Sequence, residues 1–304
     1  MKKLVVIIFL ALLPTLILLA QDPVFTQAYS AGMYLNPALT GEQKGYKANF
    51  NYGNQWPLIS GFYRTTNIGL QKRWDKYGWG FGLIFENDNS SDVMFTSNLG
   101  LVISKWFRIN DKTSLSFGLN SSYQSKRVDF SKLTFGDPLD PFANNQGGYQ
   151  HISYPNFSLG TLFKYKLGNL GLVANNFLEP NQSFYPGGNV SLPMRFTAHH
   201  TIEVPLGEKW KVGNTIILHQ QAGAEALITY FTAQYKWLKW CAGYYSRNAL
   251  IGGIGVALPR FNINYTYEYT VSKLTNSTGG SHEIGMSFRF GNKKEYGDKG
   301  SLSF

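Results

Sequence analysis

The sequence predicts an all-β fold, a transmembrane antiparallel β-barrel of about 14 strands, and three observations carry the prediction. Apolar and polar residues alternate with period two along most of the chain. The connections between alternating stretches are tight and long in turn. Six of the seven tryptophans, Trp74, Trp79, Trp106, Trp210, Trp237 and Trp240, fall beside the tight turns, where an aromatic girdle belongs.

The alternation is clearest from Asn262 to Val271. Ile263, Tyr265, Tyr267, Tyr269 and Val271 fall on one face, and Asn262, Asn264, Thr266, Glu268 and Thr270 on the other. Glu283 to Phe290 repeats the pattern, opposing Ile284, Met286, Phe288 and Phe290 to Glu283, Gly285, Ser287 and Arg289. The predicted strands are 46–56, 62–73, 79–87, 94–107, 113–128, 156–166, 170–177, 194–205, 210–219, 224–235, 238–247, 249–258, 261–272 and 281–291. Many reach about ten residues, the length that spans an apolar band of ~25 Å when tilted. The apolar face then meets lipid, so Tyr267→Arg is expected to block assembly. The polar face lines a lumen, with Gln124, Arg195, Glu203, Glu268 and Arg289 pairing across it, and Thr266→Arg is expected to be tolerated.

Composition removes the competing classes. Charged residues are 15% and apolar residues 43%, with a mean hydropathy of −0.19, which a bundle of apolar helices could hardly show. Aromatic residues at 16% and 32 glycines exclude a disordered or coiled-coil chain. Cys241 is the sole cysteine, so an intramolecular disulfide, a cysteine-based metal site and a lipoprotein anchor are all excluded.

From the N-terminus onward, residues 1–20 read as a signal peptide: Lys2 and Lys3 precede an apolar run from Leu4 to Leu19, with cleavage after Ala20. An N-terminal membrane anchor is the alternative. Residues 21–45 lack strand alternation and can fold inside the barrel as a plug. Residues 46–291 form the barrel, and a tail from 292 to 304 follows its last strand. Short turns mark the periplasmic rim and long loops the extracellular one. The longest loop, 129–155, carries Phe135, Asp137, Phe142 and Tyr149 and is expected to be a surface-exposed partner site, the alternative being a loop folded into the lumen. The periplasmic rim gathers basic residues, among them Lys236, Lys239, Lys293 and Lys294, suited to anionic head groups and to a periplasmic partner.

Catalytic signatures are missing: no nucleophile elbow, P-loop, HExxH or dinucleotide fingerprint occurs. His199 and His200 are strand neighbours and point to opposite faces, which disfavours a shared metal. The acids of Gly136 to Pro141 read as a solvated turn rather than a calcium site. The basic residues are spread over turns, unlike a nucleic-acid footprint. The expectation is a non-enzymatic protein without cofactor, metal or nucleic-acid partner.

One ordered set of short motifs runs through the chain. It comprises Gln21 to Gln27, Leu35-Asn36-Pro37-Ala38, Asn54-Gln55-Trp56-Pro57, Tyr265 to Tyr269 with Ser272-Lys273-Leu274, and Gly280-Ser281-His282-Glu283-Ile284. In this set the chain resembles the PorP/SprF family of outer-membrane components of the type IX secretion and gliding-motility system. Glu268 stands where the pattern expects Asp, and the tail after the last strand is a second departure. The resemblance implies a Gram-negative outer-membrane barrel that helps export, anchor or move large surface proteins such as adhesins. Its partners would be the passenger's C-terminal domain and periplasmic secretion or motility components. A passive or substrate-selective pore, such as a transporter of hydrophobic compounds, is the competing class.

Overall fold

The computed structural model describes residues 22–134, 136, 148–185, 187–246, 249–271 and 275–291. The predicted signal peptide, the tail after 291, and Phe135, Asp137, Phe142, Lys293 and Lys294 lie outside the described residues. Fourteen strands form one closed antiparallel barrel: β1 (Tyr46–Gln55), β2 (Tyr63–Trp74), β3 (Trp79–Ser90), β4 (Met94–Asn110), β5 (Thr113–Asp129), β6 (Tyr149–Tyr165), β7 (Gly168–Asn175), β8 (Arg195–Leu206), β9 (Trp210–Gln221), β10 (Ala224–Tyr235), β11 (Leu238–Tyr245), β12 (Ala249–Ala257), β13 (Phe261–Thr270) and β14 (Ser281–Phe290). Each strand pairs with its sequence neighbours, and β1 closes on β14 from Tyr46↔Phe290 to Gln55↔Ser281.

Register follows from the hydrophobic pattern, because a slip of one residue would turn every apolar side chain from lipid to lumen. On β13 the even-numbered residues from Asn262 to Thr270 are all buried, while Tyr265 and Tyr269 are exposed on the outside. Register pairing sets Tyr265 between Ile254 and Ile284, both also exposed. Tyr267 lies nearer the long-loop end, its hydroxyl donating to Gly279 O at 3.4 Å.

Strand six departs from expectation. It begins at Tyr149, not near 156, so that Tyr149 to Pro155 belong to the wall and pair with β5 out to Asp129↔Tyr149. The proline is what disguises it. Its register partner is Tyr123, and β6 pairs with β7 only from Leu159 onward. Phe177 N donates to Phe157 O, so odd residues of this stretch turn their backbone groups towards the β7 side. Pro155 therefore lacks an N–H on an edge where β7 has already ended, the position at which a strand tolerates proline.

The lumen is occupied. Every residue from Phe25 to Gly41 except Tyr34 is buried, inside a wall that the sequence reading lined with polar groups alone. Ala28, Tyr29, Leu35, Ala38 and Leu39 pack with inward-facing Leu162, Ile217, Ile228, Tyr230 and Ile251, and Met33 packs with Ile84 and Val102. Runs such as Leu83-Ile84-Phe85 and Ile216-Ile217-Leu218 are apolar on both faces for this reason: one face meets lipid, the other the plug.

Trp106 corrects the girdle assignment. Trp74, Trp79, Trp210, Trp237 and Trp240 are exposed on the outside, but Trp106 is 5% exposed and faces inward. Its Nε1 donates to Thr40 O at 2.8 Å, and the Arg73 guanidinium lies 5.1 Å from its ring centre.

Candidate functional site

The segment from Asp22 to Gly45 runs from the long-loop end of the barrel to the tight-turn end, bound to the wall at each level. At the top, the Asp22 carboxylate accepts from Asn176 Nδ2 (2.8 Å) and Gln221 Nε2 (3.1 Å), while Asp22 N donates to Gln221 Oε1 (3.0 Å). Below it, the Glu283 carboxylate accepts from the backbone N–H groups of Thr26 (2.8 Å) and Gln27 (3.0 Å). Gln27 Nε2 donates to Thr266 Oγ1 (3.0 Å) and Glu283 O (3.2 Å). Asn51 donates to the Ser30 hydroxyl. Of the inner-face side chains expected to pair across the interior, Arg195 instead donates to Pro23 O of the plug (3.3 Å), and Glu283 likewise binds plug backbone.

The middle of the plug is a 3-10 turn, Pro37–Leu39. Asn36 caps it, its Oδ1 accepting from Ala38 N at 2.8 Å, and proline fits the first helical position because its missing N–H would have no partner there. That leaves Asn36 Nδ2 as a donor to the wall, to Thr161 O (3.0 Å) and His199 Nε2 (2.9 Å). With Nε2 accepting, His199 Nδ1 carries the proton and donates to the Tyr29 hydroxyl (2.6 Å), which donates to Asn169 Oδ1 (2.9 Å). One relay therefore ties Asn36 and Tyr29 of the plug to β6, β7 and β8. His200, as expected, faces the other way, stacked on Tyr165.

Space for this turn is made by glycines. A methyl group added at Gly118 would lie 2.2 Å from Ala38 N, and one at Gly160 2.0 Å from Asn36 Oδ1. The two are direct register partners on β5 and β6, so together they form a groove in the inner wall that admits main chain.

At the tight-turn end, Ser104 Oγ donates to Thr40 O (2.6 Å), Gly41 N donates to Gln71 Oε1 (2.7 Å), and Arg73 Nη1 donates to Gly41 O (3.1 Å). Lys164 Nζ meets Glu42 Oε1 at 2.8 Å. Burial pushes the Glu42 carboxyl up, but Lys164, with Lys47 and Arg289 nearby, more than offsets this and holds it below its ordinary value. A cavity beside the plug, lined by Tyr29, Glu42, Lys47, Gln71, Asn169 and Glu203 among others, measures about 40 Å3, room for a few waters.

These features have a family context. The sequence profile of the type IX secretion system membrane protein PorP/SprF matches residues 17–288. The chain belongs to the PorP/SprF family. Among solved structures it is similar in fold to the CymD monoaromatic hydrocarbon channel, at 14% identity and a TM-score of 0.52, covering 86% of this chain and 93% of that one. The toluene transporter TbuX of Ralstonia pickettii is comparable, at 12% identity and 0.51, with the same coverage. No curated protein matches. Fold and family make this an outer-membrane β-barrel and a secretion-system component, and both are those of secretion membrane proteins and channels, not enzymes.

The PorP/SprF motif residues fall into two places. Asn36 and Pro37 form the centre of the plug. Asn54, Gln55, Trp56, Glu268, His282 and Glu283 come together at the long-loop end of the closing seam, where Asn54 pairs with His282 and Gln55 with Ser281 across β1 and β14, and Glu268 with Ser281 across β13 and β14. Trp56, with a positive φ of 58°, donates its backbone N–H to Gly280 O (2.8 Å), and its ring meets Tyr63 edge to face. His282 faces outward, its Nδ1 against the Tyr265 hydroxyl at 2.7 Å.

The predicted partner sites are placed differently from one another. Tyr149 is exposed at the start of β6, its ring against Arg127. Lys236 is exposed in the β10–β11 turn. Lys239 is not on the rim surface: inward parity on β11 buries it fully in the lumen. Residues that sequence reasoning missed are Tyr29, Trp106, Asn169 and the glycine groove. The groove had a signal, since Gly118 and Gly160 sit on the inner parity between Phe117 and Leu119 and between Leu159 and Thr161.

Proposed function

We propose that this PorP/SprF barrel is a non-enzymatic support for type IX secretion that anchors, passes or moves large surface proteins such as adhesins. The observation that carries this reading is the filled lumen in a chain of this family, because a barrel closed by its own N-terminal segment needs a partner in order to act. On this view the long-loop end, with Phe135, Asp137, Phe142 and Tyr149, receives the C-terminal domain of the passenger. The periplasmic rim, through Lys236, Lys293, Lys294 and the tail 292–304, meets secretion or motility components. Export from the cytoplasm would use residues 1–20 as a signal peptide.

The direct test is affinity capture of the detergent-solubilised barrel with mass spectrometry of what stays bound. Recovery of a surface protein together with periplasmic components supports the reading, and recovery of lipid alone contradicts it. Deleting 293–304 should abolish export while leaving the barrel assembled. A cysteine at Asn145 should label in intact cells if the long loop is displayed.

A second reading, a selective pore for apolar compounds, draws on the fold likeness to hydrocarbon channels. The polar inner wall argues against it. His199 is bound there to Asn36 and Tyr29 of the plug, and an apolar solute that displaced the plug would leave it without either partner. Uptake of aromatic compounds by the purified barrel would favour this reading over the first.

A further inference from the structure

The outer face of β2 to β6 changes character at one register towards the long-loop end. Ile68, Phe85, Leu99, Tyr123 and Pro155 are aligned partners across the five strands and form the last apolar row. Two residues further along each strand, the aligned row is Thr66, Asn87, Ser97, Ser125 and Ser153. Two further again it is Arg64, Asn89, Phe95, Arg127 and His151. All of these lie on the lipid-side parity of their strands. Strand tilt inclines the rows to the membrane plane, but every strand passes from an apolar residue to a hydroxyl or amide, and the third row carries two arginines and a histidine, with β4 alone returning to an apolar residue, Phe95.

Basic groups outnumber acids on this face: Asp129, two residues beyond Arg127 on the same parity of β5, has its carboxylate taken up by the Ser131 hydroxyl (2.6 Å) and Lys132 (3.9 Å). The nearby acids of β3 point inward, where Asp88 accepts from the Thr65 hydroxyl (2.6 Å) and Glu86 from Asn98 (3.0 Å). Asp92, in the β3–β4 turn, is held by Asn89 Nδ2 at 2.6 Å. Across the barrel, the outer face of β9 and β10 ends instead on Gln220 and Glu225, register partners and both exposed.

Both arginines are pre-set. The Arg64 guanidinium lies 4.2 Å from the centre of the Phe62 ring. That of Arg127 lies between Phe95 (4.9 Å) and Tyr149 (4.5 Å). Neither meets a carboxylate among the described residues. Stacking holds the guanidinium plane and leaves its N–H edge for oxygen anions such as phosphate. Arg64 and Arg127 are three strand spacings apart, roughly 14 Å at ~4.8 Å per spacing.

We propose that this outer face of β2–β6 docks the phosphorylated sugar head group of an outer-leaflet glycolipid. The acyl chains lie along the apolar wall that continues directly from it, the hydroxyl row faces the sugar, and Arg64 and Arg127 take phosphates. The inference is independent of the export reading. It follows from charge and register on the lipid-facing wall, and a barrel with any passenger would retain it.

The test uses full-length protein in detergent with three probes: bisphosphorylated lipid A, the same lipid dephosphorylated, and inorganic phosphate, with binding read by native mass spectrometry. Arg64→Gln with Arg127→Gln should weaken binding of bisphosphorylated lipid A at least tenfold, with heat-modifiable migration unchanged. Arg108→Gln, exposed at the opposite, tight-turn end of β4, should leave binding as it is. Equal binding of the dephosphorylated lipid, or undiminished binding by the folded double variant, overturns the proposal. Binding of inorganic phosphate as tight as that of the lipid overturns the glycolipid as its source.

Discussion

Neighbouring residues of β13 live under different rules. Tyr265, Tyr267 and Tyr269 face lipid, while Asn264, Thr266 and Glu268 face the plug. The outer face answers to a solvent: a side chain there needs only to be apolar and, near the rims, aromatic. The inner face answers to one particular partner, since Thr266 is 1% exposed and accepts the side chain of Gln27. The difference explains why an alternating pattern alone reveals a barrel and conceals its plug. It also means that substitutions on the inner face, which a water-filled lumen would absorb, should do the greater damage.

The strongest way to break this comparison is to place a cation on each face. Thr266→Arg should prevent folding or unseat the plug, because an unpaired charge inside a packed interior costs several kcal/mol. Tyr265→Arg, towards the middle of the lipid face, should cost about 2–4 kcal/mol, and Tyr267→Arg, nearer the rim, less. Denaturant midpoints and heat-modifiable migration rank the three. A well-folded Thr266→Arg variant with native stability contradicts the packed lumen.

Gly118→Leu sharpens the comparison from the inner side alone. The added side chain must displace Pro37 and Ala38, with overpacking of this kind costing about 1–3 kcal/mol. The barrel should still assemble but become leaky, and protease should cut the released segment. Next in size is His199→Ala, which removes one of the two partners of the Asn36 amide and of the Tyr29 hydroxyl and leaves each the other, Thr161 O and Asn169, at about 0.5–1.5 kcal/mol for each hydrogen bond lost. Hydrogen exchange of residues 29–39 should speed up while β13 exchange stays unchanged.

The smallest effect expected is that of pH on the lower end of the plug. Glu42 is held below its ordinary value, so its ion pair with Lys164 contributes stability above the unfolded carboxyl value and loses it as pH falls through the folded one. Glu42 is partly exposed, which keeps the contribution small. Protection of residues 40–45 should therefore decline only on acidification below the carboxylate range, and Glu42→Gln should remove that dependence.

The outer half of this fold was legible because lipid imposes one demand at every second residue. The thirteenth and fourteenth strands alternate without a slip, and the boundaries of most others fall within a few residues of the pattern. Strand six was hidden by Pro155, acceptable only because β7 ends below it, which is a fact about a neighbour. Trp106 read as girdle from its place beside a turn, and only the position of Thr40 turns it inward. Residues 21–45 could be recognised as something other than strand, but their seat could not, since His199, Asn169, Gly118 and Gly160 reach the plug over more than 75 positions of sequence. Local periodicity carries no information at that range. The polar face looked like a lumen lining for the same reason: nothing in the alternation distinguishes water from the backbone of Thr26 and Gln27 as the partner of Glu283.

Closure of the lumen by the chain's own N-terminal segment is tested most directly by single-channel recording of the purified protein in planar bilayers. The full-length barrel should show no steady conductance, and a variant lacking residues 22–44 should assemble and conduct continuously. Steady conductance of the intact protein at the level of the deletion variant would contradict a filled lumen.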